Sequence, residues 1–538
     1  MQETRYTGAP PIRPAGGWSV ERLTPPSRLF GANGLRTGPD GRVYVAQVAG
    51  SQISALDVDT GRLETVSAQG SDIVAPDDVD FDATGDLYAT EYYDGRVSAR
   101  GADGRTRVLR DDVPGANGIT FHQGRLFIDE CRIGGRLLEL DPGGGAPRVI
   151  LEDLPLPNAM AFGPDGKLYY PLLGSNDIWR IDPDGGEPER VAGDLGVPDA
   201  VKFDAAGNLV STQVGTGEVL RINPRSGERT VLATIAPGLD NLTFVGARLF
   251  VSGFTGQITE ILDGGRTRTV LPGGMTWPLD LTAGADGTVY VADGTYFYAL
   301  PPGGGGPRVL GMLFSPGWPG YVRGVASAGA DEFVVTTSLG QIARWWPAKG
   351  EHAVLAGGTE PFDQLYGVAV APGGDVVAAE LGAGRVVSVR GGEVTTLASG
   401  LDRPAGVAFA ADGTCLVSES GAGRVVAISG SGPGSAAETV LDGLERPQGI
   451  AVRGGRLAVV DAGARSLIEA GLDGTSRTTI ARELPVGDPS GQPPKPLKGL
   501  MPFTGPQGLF AGVAAGPDGA LYVSADAEGS VLAVREEG

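Results

Sequence analysis

Six residues, Asn33, Asp77, Asn117, Asn158, Asp199 and Asp240, recur at spacings of 44, 40, 41, 41 and 41 residues. Each stands just before a short apolar run of strand composition, as in LPNAMAFGPDGKLYY, residues 156–170. Every side chain in the set ends in a hard oxygen, and none is His or Cys. If a fold brought the six to one point, the three carboxylates would repel one another unless a cation or protons intervened. An all-oxygen donor set suits Ca²⁺, with Mg²⁺ or Mn²⁺ as alternatives, ahead of zinc or copper. The competing reading is local, since Asn and Asp also accept backbone N–H groups at strand starts. Turn preference alone does not explain the pattern. The equivalent positions in the second half of the chain hold Leu279, Arg323, Tyr366, Ala405, Gln448 and Ala511.

The element that would gather the six is a repeat. GLRTGPDGRVYVAQ from Gly34, DVDFDATGDLYATE from Asp78 and GVAFAADGTCLVSE from Gly406 each read as strand, Gly-containing turn, strand. A third strand follows, such as EVLRI from Glu218, and then a fourth, such as RTVLA from Arg229. Four strands recurring every forty residues or so (about one blade length) make a propeller blade. The chain holds twelve such units. Single rings usually take about four to eight blades. The expectation is therefore an all-β fold of two tandem six-bladed β-propellers, residues 1–265 and 266–538, with one twelve-bladed ring as the alternative. In a blade the first strand lies nearest the channel, and its start shares a face with the end of the antiparallel second strand. The Asn/Asp set then crowds one mouth of the N-terminal ring.

Closure of the rings has its own signal. The last unit stops at a third strand, VLAVREE, and an orphan strand, WSVERLT, precedes the first unit. If each propeller begins with an outer strand, WSVERLT completes the blade of the sixth unit. TRTVLP, residues 267–272, then completes that of the twelfth. Each ring is closed by its own N-terminal strand, which protects the sheet edges.

The first half resembles the gluconolactonase/regucalcin (senescence marker protein) family of six-bladed propellers. It is more distantly similar to calcium-dependent paraoxonases and phosphotriesterases of that shape. LPNAMAFGPDGKLYY is similar to that family's Asn-Gly-Leu/Ile-Ala-Phe-Ser-Pro-Asp-Gly-Lys segment. VPDAVKFDAAGNLVST, from Val197, is similar to its Pro-Asp-Gly-Met-Ala-Val-Asp-Ala-Glu-Gly-Asn-Leu segment. The resemblance implies that Asn158 and Asp199 are metal ligands in consecutive blades, and that Asn117 contacts metal or substrate. The family's first-blade Glu ligand is replaced here by Asn33, so Asp77 or Asp240 would supply that charge. Ala159 and Ala200 stand where the family has Gly. The resemblance covers residues 30–262. Over the second half it is architectural only.

Other groups are weighed against this ring. Glu91 and Glu130 end second strands on the same face, where Gln47 and Gln213 also fall, and the four are candidate substrate-binding residues. The bland reading is a brace within each blade, because Arg96 and Arg136 follow, and Glu380/Arg385, Glu419/Arg424 and Asp461/Arg465 repeat the pairing. His122 lies in a hairpin turn away from the ring and His352 in a second-half loop, which argues against a His-based triad or lyase. Cys131, with no His beside it, reads as a small filler. Trp277, Trp318, Tyr321 and Tyr366, with Arg323, Arg403 and Arg446, mark a different mouth on the second ring. A long insertion at residues 482–507 is either a lid or ordinary packing.

Composition narrows the partners. A net charge of -21 without a basic stripe argues against nucleic acid and anionic membranes. Two cysteines outside any CxxC pattern make a disulfide framework or zinc site an unlikely expectation. No apolar signal core opens the sequence, and no run reaches the eighteen or so apolar residues of a spanning helix. The expected protein is cytoplasmic and acts on a small molecule. The expected activity is metal-dependent hydrolysis of a lactone or related ester on the N-terminal axis, with Asp199 activating water or attacking directly. The alternatives are a metal-dependent lyase, isomerase or cyclase acting on a specialised metabolite, and a binding propeller without chemistry.

Overall fold

The computed structural model describes residues 4–6, 9–429, 437–488 and 508–537. Its building unit is visible in residues 156–170. Gly163 N–H donates to the Lys167 carbonyl at 2.9 Å, and Gly166 sits at φ 77° to close the turn. Asp165 accepts from Lys167 N–H at 3.2 Å and from the Tyr169 hydroxyl at 2.9 Å. The turn thereby sets the register, with Ala161 opposite Tyr169 and Phe162 opposite Leu168. Leu168–Leu172 then pairs with Asp177–Ile181, and that strand with Glu189–Ala192, giving a four-stranded antiparallel sheet.

Among the described residues there are twelve antiparallel sheets, eleven of four strands and one of five, the fifth being Arg13–Pro14 beside Thr478–Arg482, and the only helical pieces are two three-residue 3-10 turns. The chain divides into two compact units. Six sheets lie between Arg28 and Gly274 and form the N-terminal propeller. Its innermost strands bond around a closed ring. Gly34 N–H reaches the Asp77 carbonyl at 2.7 Å, Val201 N–H the Ala159 carbonyl at 3.1 Å, and the Ser252 hydroxyl the Asn33 carbonyl at 2.6 Å. Aromatic pairs repeat between successive blades at one register: Tyr44–Phe81, Tyr88–Phe121, Phe127–Phe162 and Tyr169–Phe203, all edge-to-face at 4.7 to 4.9 Å. Each such pair contributes roughly 0.5–1.5 kcal/mol beyond its buried area.

The second propeller contains the six remaining sheets and closes in the same manner, with Gly449 N–H on the Ala511 carbonyl and Gly512 N–H on the Leu279 carbonyl, both at 2.9 Å. Its closing strand corrects the expectation. Trp18–Arg22 pairs with Ser530–Glu536, so the N-terminal strand completes the twelfth blade and not the sixth. Thr267–Leu271 pairs with Ile258–Ile261 and completes the sixth. A turn at Asp263–Gly265 joins those two strands, and so short a loop closes at little entropic cost. The twelfth blade, lacking a fourth strand of its own, is the one left with an open edge. The boundary expected at 265/266 also moves. Residues up to Ser27 belong with those from Met275 onward, and the N-terminal propeller is inserted between them in the chain. Arg5 anchors this leading segment through the Ala527 and Thr276 carbonyls, each at 2.7 Å, and Arg22 pairs with Glu528 at 2.7 Å. Of the expected lid, residues 489–507 lie outside the described residues. No helix of the described residues is long and apolar enough to cross a membrane.

Candidate functional site

The six blades do bring the Asn/Asp set to one mouth. Asn158 Nδ2 donates to Asp199 Oδ1 at 3.1 Å, and Asn33 Nδ2 to Asp240 Oδ2 at 3.0 Å. Asp199 and Asp240 are hydrogen-bonded to each other. Asp77 completes the acidic side, felt electrostatically by Asp199. Asn117 is buried at the equivalent position, its carbonyl held by the Thr90 hydroxyl.

A hydroxyl relay fixes these positions. Thr90, Thr212 and Ser252 each accept from an N–H of their own blade (Asp78, Ala200 and Asn241) and donate to the carbonyl of the next blade's ring residue (Asn117, Asp240 and Asn33). The second propeller uses the same device at Thr336, Ser418 and Ser524. The backbone that presents the ring is thus common to both propellers, and only the side chains differ.

The electrostatics are those of a site with too much negative charge. Burial pushes Asp199 well above the usual carboxylate range, and Asp77, Asp129 and Asp78 push it further. Burial raises Asp240 in the same way, with Asp199 as its main repulsive neighbour. Asp77 is raised by burial and then by Asp240 and Asp78. What meets this charge is the Asn158 amide N–H on Asp199 and the Asn33 amide N–H on Asp240. Among the described residues no three His, Cys, Asp or Glu side chains gather closely enough to hold a metal by themselves. A cation there needs amide oxygens as well; Asn158 Oδ1 accepts Ala159 N–H at 2.6 Å and Asn33 Oδ1 accepts Val48 N–H at 3.2 Å, so these two amides must turn to present theirs. Hard carboxylate and amide oxygens with unmet negative charge fit a hard divalent cation.

Residues 15–252 match the family model SMP-30/Gluconolactonase/LRE-like region. The resemblance read from the first half is borne out over that stretch, which ends in the second strand of the sixth blade. Among solved structures, a streptogramin B lyase aligns at 20% identity over 51% of this chain and 94% of its own, with a TM-score of 0.38. A virginiamycin B lyase from Staphylococcus aureus aligns at 17% identity over 51% and 96%, TM-score 0.38. A gluconolactonase from Xanthomonas campestris aligns at 19% identity over 46% and 95%, TM-score 0.38. No curated protein sequence matches the chain.

Within the gluconolactonase-like half, the residues singled out for substrate binding are engaged elsewhere. Gln47, Glu91, Glu130 and Gln213 are all fully buried. Gln47 accepts from Phe30 N–H and donates to Ser54 Oγ, each at 2.9 Å. Gln213 repeats this with Gly196 N–H at 2.9 Å and Ser211 Oγ at 3.0 Å. Glu91 holds Val74 N–H at 2.7 Å and pairs with Arg96, while Glu130 pairs with Arg136 and Arg132. The four brace their own blades. Glu380 and Glu419 bind Arg385 and Arg424 likewise, but Asp461 holds backbone N–H groups and Arg465 turns to the Leu484 carbonyl. His122 stacks on Phe162 at 3.9 Å, and exposed His352 meets the Gly317 carbonyl, so neither enters the site.

The gluconolactonase-like mouth also contains Asp129 and Lys202, which sequence reasoning missed, and Cys131, which it read as a small filler. Cys131 lies with its Sγ 3.9 Å from Asn158 Nδ2, and burial beside Asp129, Asp77 and Asp199 pushes its thiol up, leaving it protonated. Asp129 fills the position that holds Thr90 or Ser252 in sister blades, accepts Gly118 N–H at 3.2 Å, and is raised by burial. Lys202, three residues beyond Asp199, is buried, and burial pulls it down to about 8 against the pull of Asp78, Asp80 and Asp129. Reading both neighbours of Glu130 would have exposed Asp129 and Cys131, whereas Lys202, three residues past Asp199, needed the first strand read further along.

The second propeller's mouth is filled. Arg323 lies 4.2 Å above the Tyr366 ring and donates to the Gly508 carbonyl at 3.2 Å. Tyr366 packs against Phe510 at 5.5 Å, and Gln448 bonds Leu509 and Ala511. Trp318 packs edge-on against Trp345 at 5.3 Å, away from any ring of ligands. The described end of the long insertion, residues 508–511, therefore lies across the channel entrance.

Proposed function

We propose that the N-terminal propeller is a divalent-metal-dependent hydrolase of a lactone or related ester, working at the Asn/Asp ring. The observation that carries this is the buried Asp199–Asp240 pair, met by amide N–H groups of Asn158 and Asn33 and by no cationic side chain in these bonds. Asp199, Asp240 and Asp77 with the amide oxygens of Asn158, Asn117 and Asn33 would hold Ca²⁺ (or Mg²⁺ or Mn²⁺), which supplies Lewis-acid polarisation of the ester carbonyl. Asp199 accepts the proton of the attacking water at a carboxylate oxygen, a role suited to its raised affinity for protons. Asp240 holds Asp199 in place through their hydrogen bond, and Asn158 fixes Asp199 Oδ1. Asn117 orients the substrate.

A second reading has one observation of its own. Lys202 is buried and its proton is loosened to about 8, which supports proton abstraction by a lyase or isomerase using the same metal. The test begins with elemental analysis of the full chain after Ca²⁺ dialysis. One equivalent of metal with turnover of a lactone panel, both lost in Asp199→Asn, supports the proposal, and absence of metal overturns it. A product heavier than substrate by one water supports hydrolysis. An unchanged mass supports isomerisation, and metal without turnover supports a binding propeller.

A further inference from the structure

The layer just outward of the ring has a composition that bears on what enters. In each blade one residue follows the end of the second strand: Val48, Tyr92, Cys131, Leu173, Val214 and Phe254. Their place is set by backbone bonds. Tyr92, Cys131, Leu173, Val214 and Phe254 donate N–H to the residue two before the ring position of the same blade, at 3.1, 2.8, 3.0, 2.9 and 2.9 Å. Val48 N–H goes directly to the Asn33 side-chain oxygen at 3.2 Å. The collar therefore stands immediately above the ring, as the contact of Cys131 with Asn158 shows directly.

The five facing residues two before the ring are Ala75, Gly115, Leu156, Val197 and Gly238, none with a polar side chain. In the collar itself the one hydroxyl, that of Tyr92, donates to the Cys131 carbonyl at 2.9 Å, and the Cys131 thiol is a weak partner. The matching positions of the second propeller are Gly294, Ser338, Leu381, Ser420, Ala462 and Asp526, small or polar in five of six. The apolar collar is thus a property of the ring-bearing propeller and not of the fold.

We infer that the substrate presented to the ring is a lactone or ester with an apolar body, an alkyl or aryl substituent next to the reacting carbonyl, and not a polyhydroxylated sugar lactone. A sugar lactone entering this layer gives up water hydrogen bonds that no collar side chain replaces, and a buried unpaired hydroxyl is costly. An apolar substituent loses nothing there and gains contact. This inference rests on the proposed reading of the site as a lactonase, and names its substrate class.

The test uses the full chain with Ca²⁺ and two substrates sharing a six-membered ring, δ-decalactone and glucono-1,5-lactone. The expected kcat/KM favours the alkyl lactone by about 10-fold or more, the scale of discrimination by an apolar pocket. Equal or reversed preference overturns the inference. Binding of the two corresponding lactams, read as a thermal shift, separates it from the hydrolase reading. A shift with the alkyl lactam alone upholds the apolar collar even if neither lactone is opened, in which case the hydrolase reading falls. A shift with the polyhydroxylated lactam, or with neither, overturns the collar. Leu173→Asn should cut the alkyl preference about 10-fold. If that variant misfolds, the isosteric Val48→Thr gives the same direction, and an unchanged preference in a folded variant counts against the inference.

Discussion

Replacing Asp240 by Asn should make the metal-free protein more stable, and more so as pH rises. In the folded chain Asp240 is raised by burial and by Asp199 above its ordinary 3.8. A carboxyl group raised on folding contributes stability that is complete below its unfolded value and is lost as pH climbs toward its folded one. Across that window each such group lowers stability by about 1.4 kcal/mol per pH unit. Asn is isosteric and keeps the local bonds: its amide N–H donates to Asp199, and its oxygen accepts from Asn33 Nδ2. The variant therefore escapes the penalty without losing packing. Relative to wild type, the gain should grow as pH rises above the ordinary carboxylate range, where the unfolded Asp240 ionises and the folded one is held back. The assay is urea unfolding in EDTA at pH 5, 6, 7 and 8. The order should narrow or reverse with Ca²⁺, because wild type gains about 2.7 kcal/mol at a hundredfold excess over Kd and the variant, short of one carboxylate, gains less. A difference that does not vary with pH, or a less stable variant throughout, would refute the reasoning that the ring stores charge strain.

Calorimetric titration of Ca²⁺ in buffers of different ionisation enthalpy should show proton release, because the cation binds the ionised form of carboxyl groups whose proton affinity is raised at Asp199 and Asp240, with release vanishing at high pH. Deleting residues 1–23 should destabilise the second propeller by about 1–5 kcal/mol, from the five cross-strand pairs of Trp18–Arg22, and leave Ca²⁺ binding unchanged. Glu91→Gln should cost about 3 kcal/mol in denaturant unfolding with KM unaltered, because its carboxylate braces Arg96 and Val74 N–H inside the blade. A raised KM at unchanged stability would return Glu91 to the substrate site.

The repeat, and the ring it produces, were legible because they depend on short-range rules. A Gly-Pro-Asp-Gly turn sets a two-strand register, and a recurrence of about forty residues puts one position of every unit at the same place in a blade. Asn158 and Asp240 could be placed at one mouth without knowing any distance. Strand exchange was not legible in the same way. WSVER and TRTVL are both outer strands by composition, and alternation says nothing about which open edge each one takes. What decides is loop length: five residues, 262–266, separate Thr267 from the strand it joins, so that strand is consumed locally and the distant one is left for the last blade.

The side chains around the ring failed for a different reason. Glu91 and Asp199 are both acids at one face, a few residues from a channel, and sequence offers no measure of how each is partnered. The fold separates them sharply. Glu91 meets Arg96, Ser98 and a backbone N–H within its own blade, and its charge is spent on holding a loop. Asp199 meets another acid and an amide, and its charge is not spent. An acid whose local partners are cations stabilises a fold, whereas one held against other acids destabilises it until a ligand arrives. That difference explains why the repeated acid-plus-Arg pairs tolerate a place in both propellers. The unpaired carboxylate cluster occurs in only one of them, supported by the same hydroxyl relay that in the other carries Tyr366, Gln448 and Leu279 instead. The scaffold is shared, and the six Asn and Asp side chains set on it distinguish the N-terminal propeller.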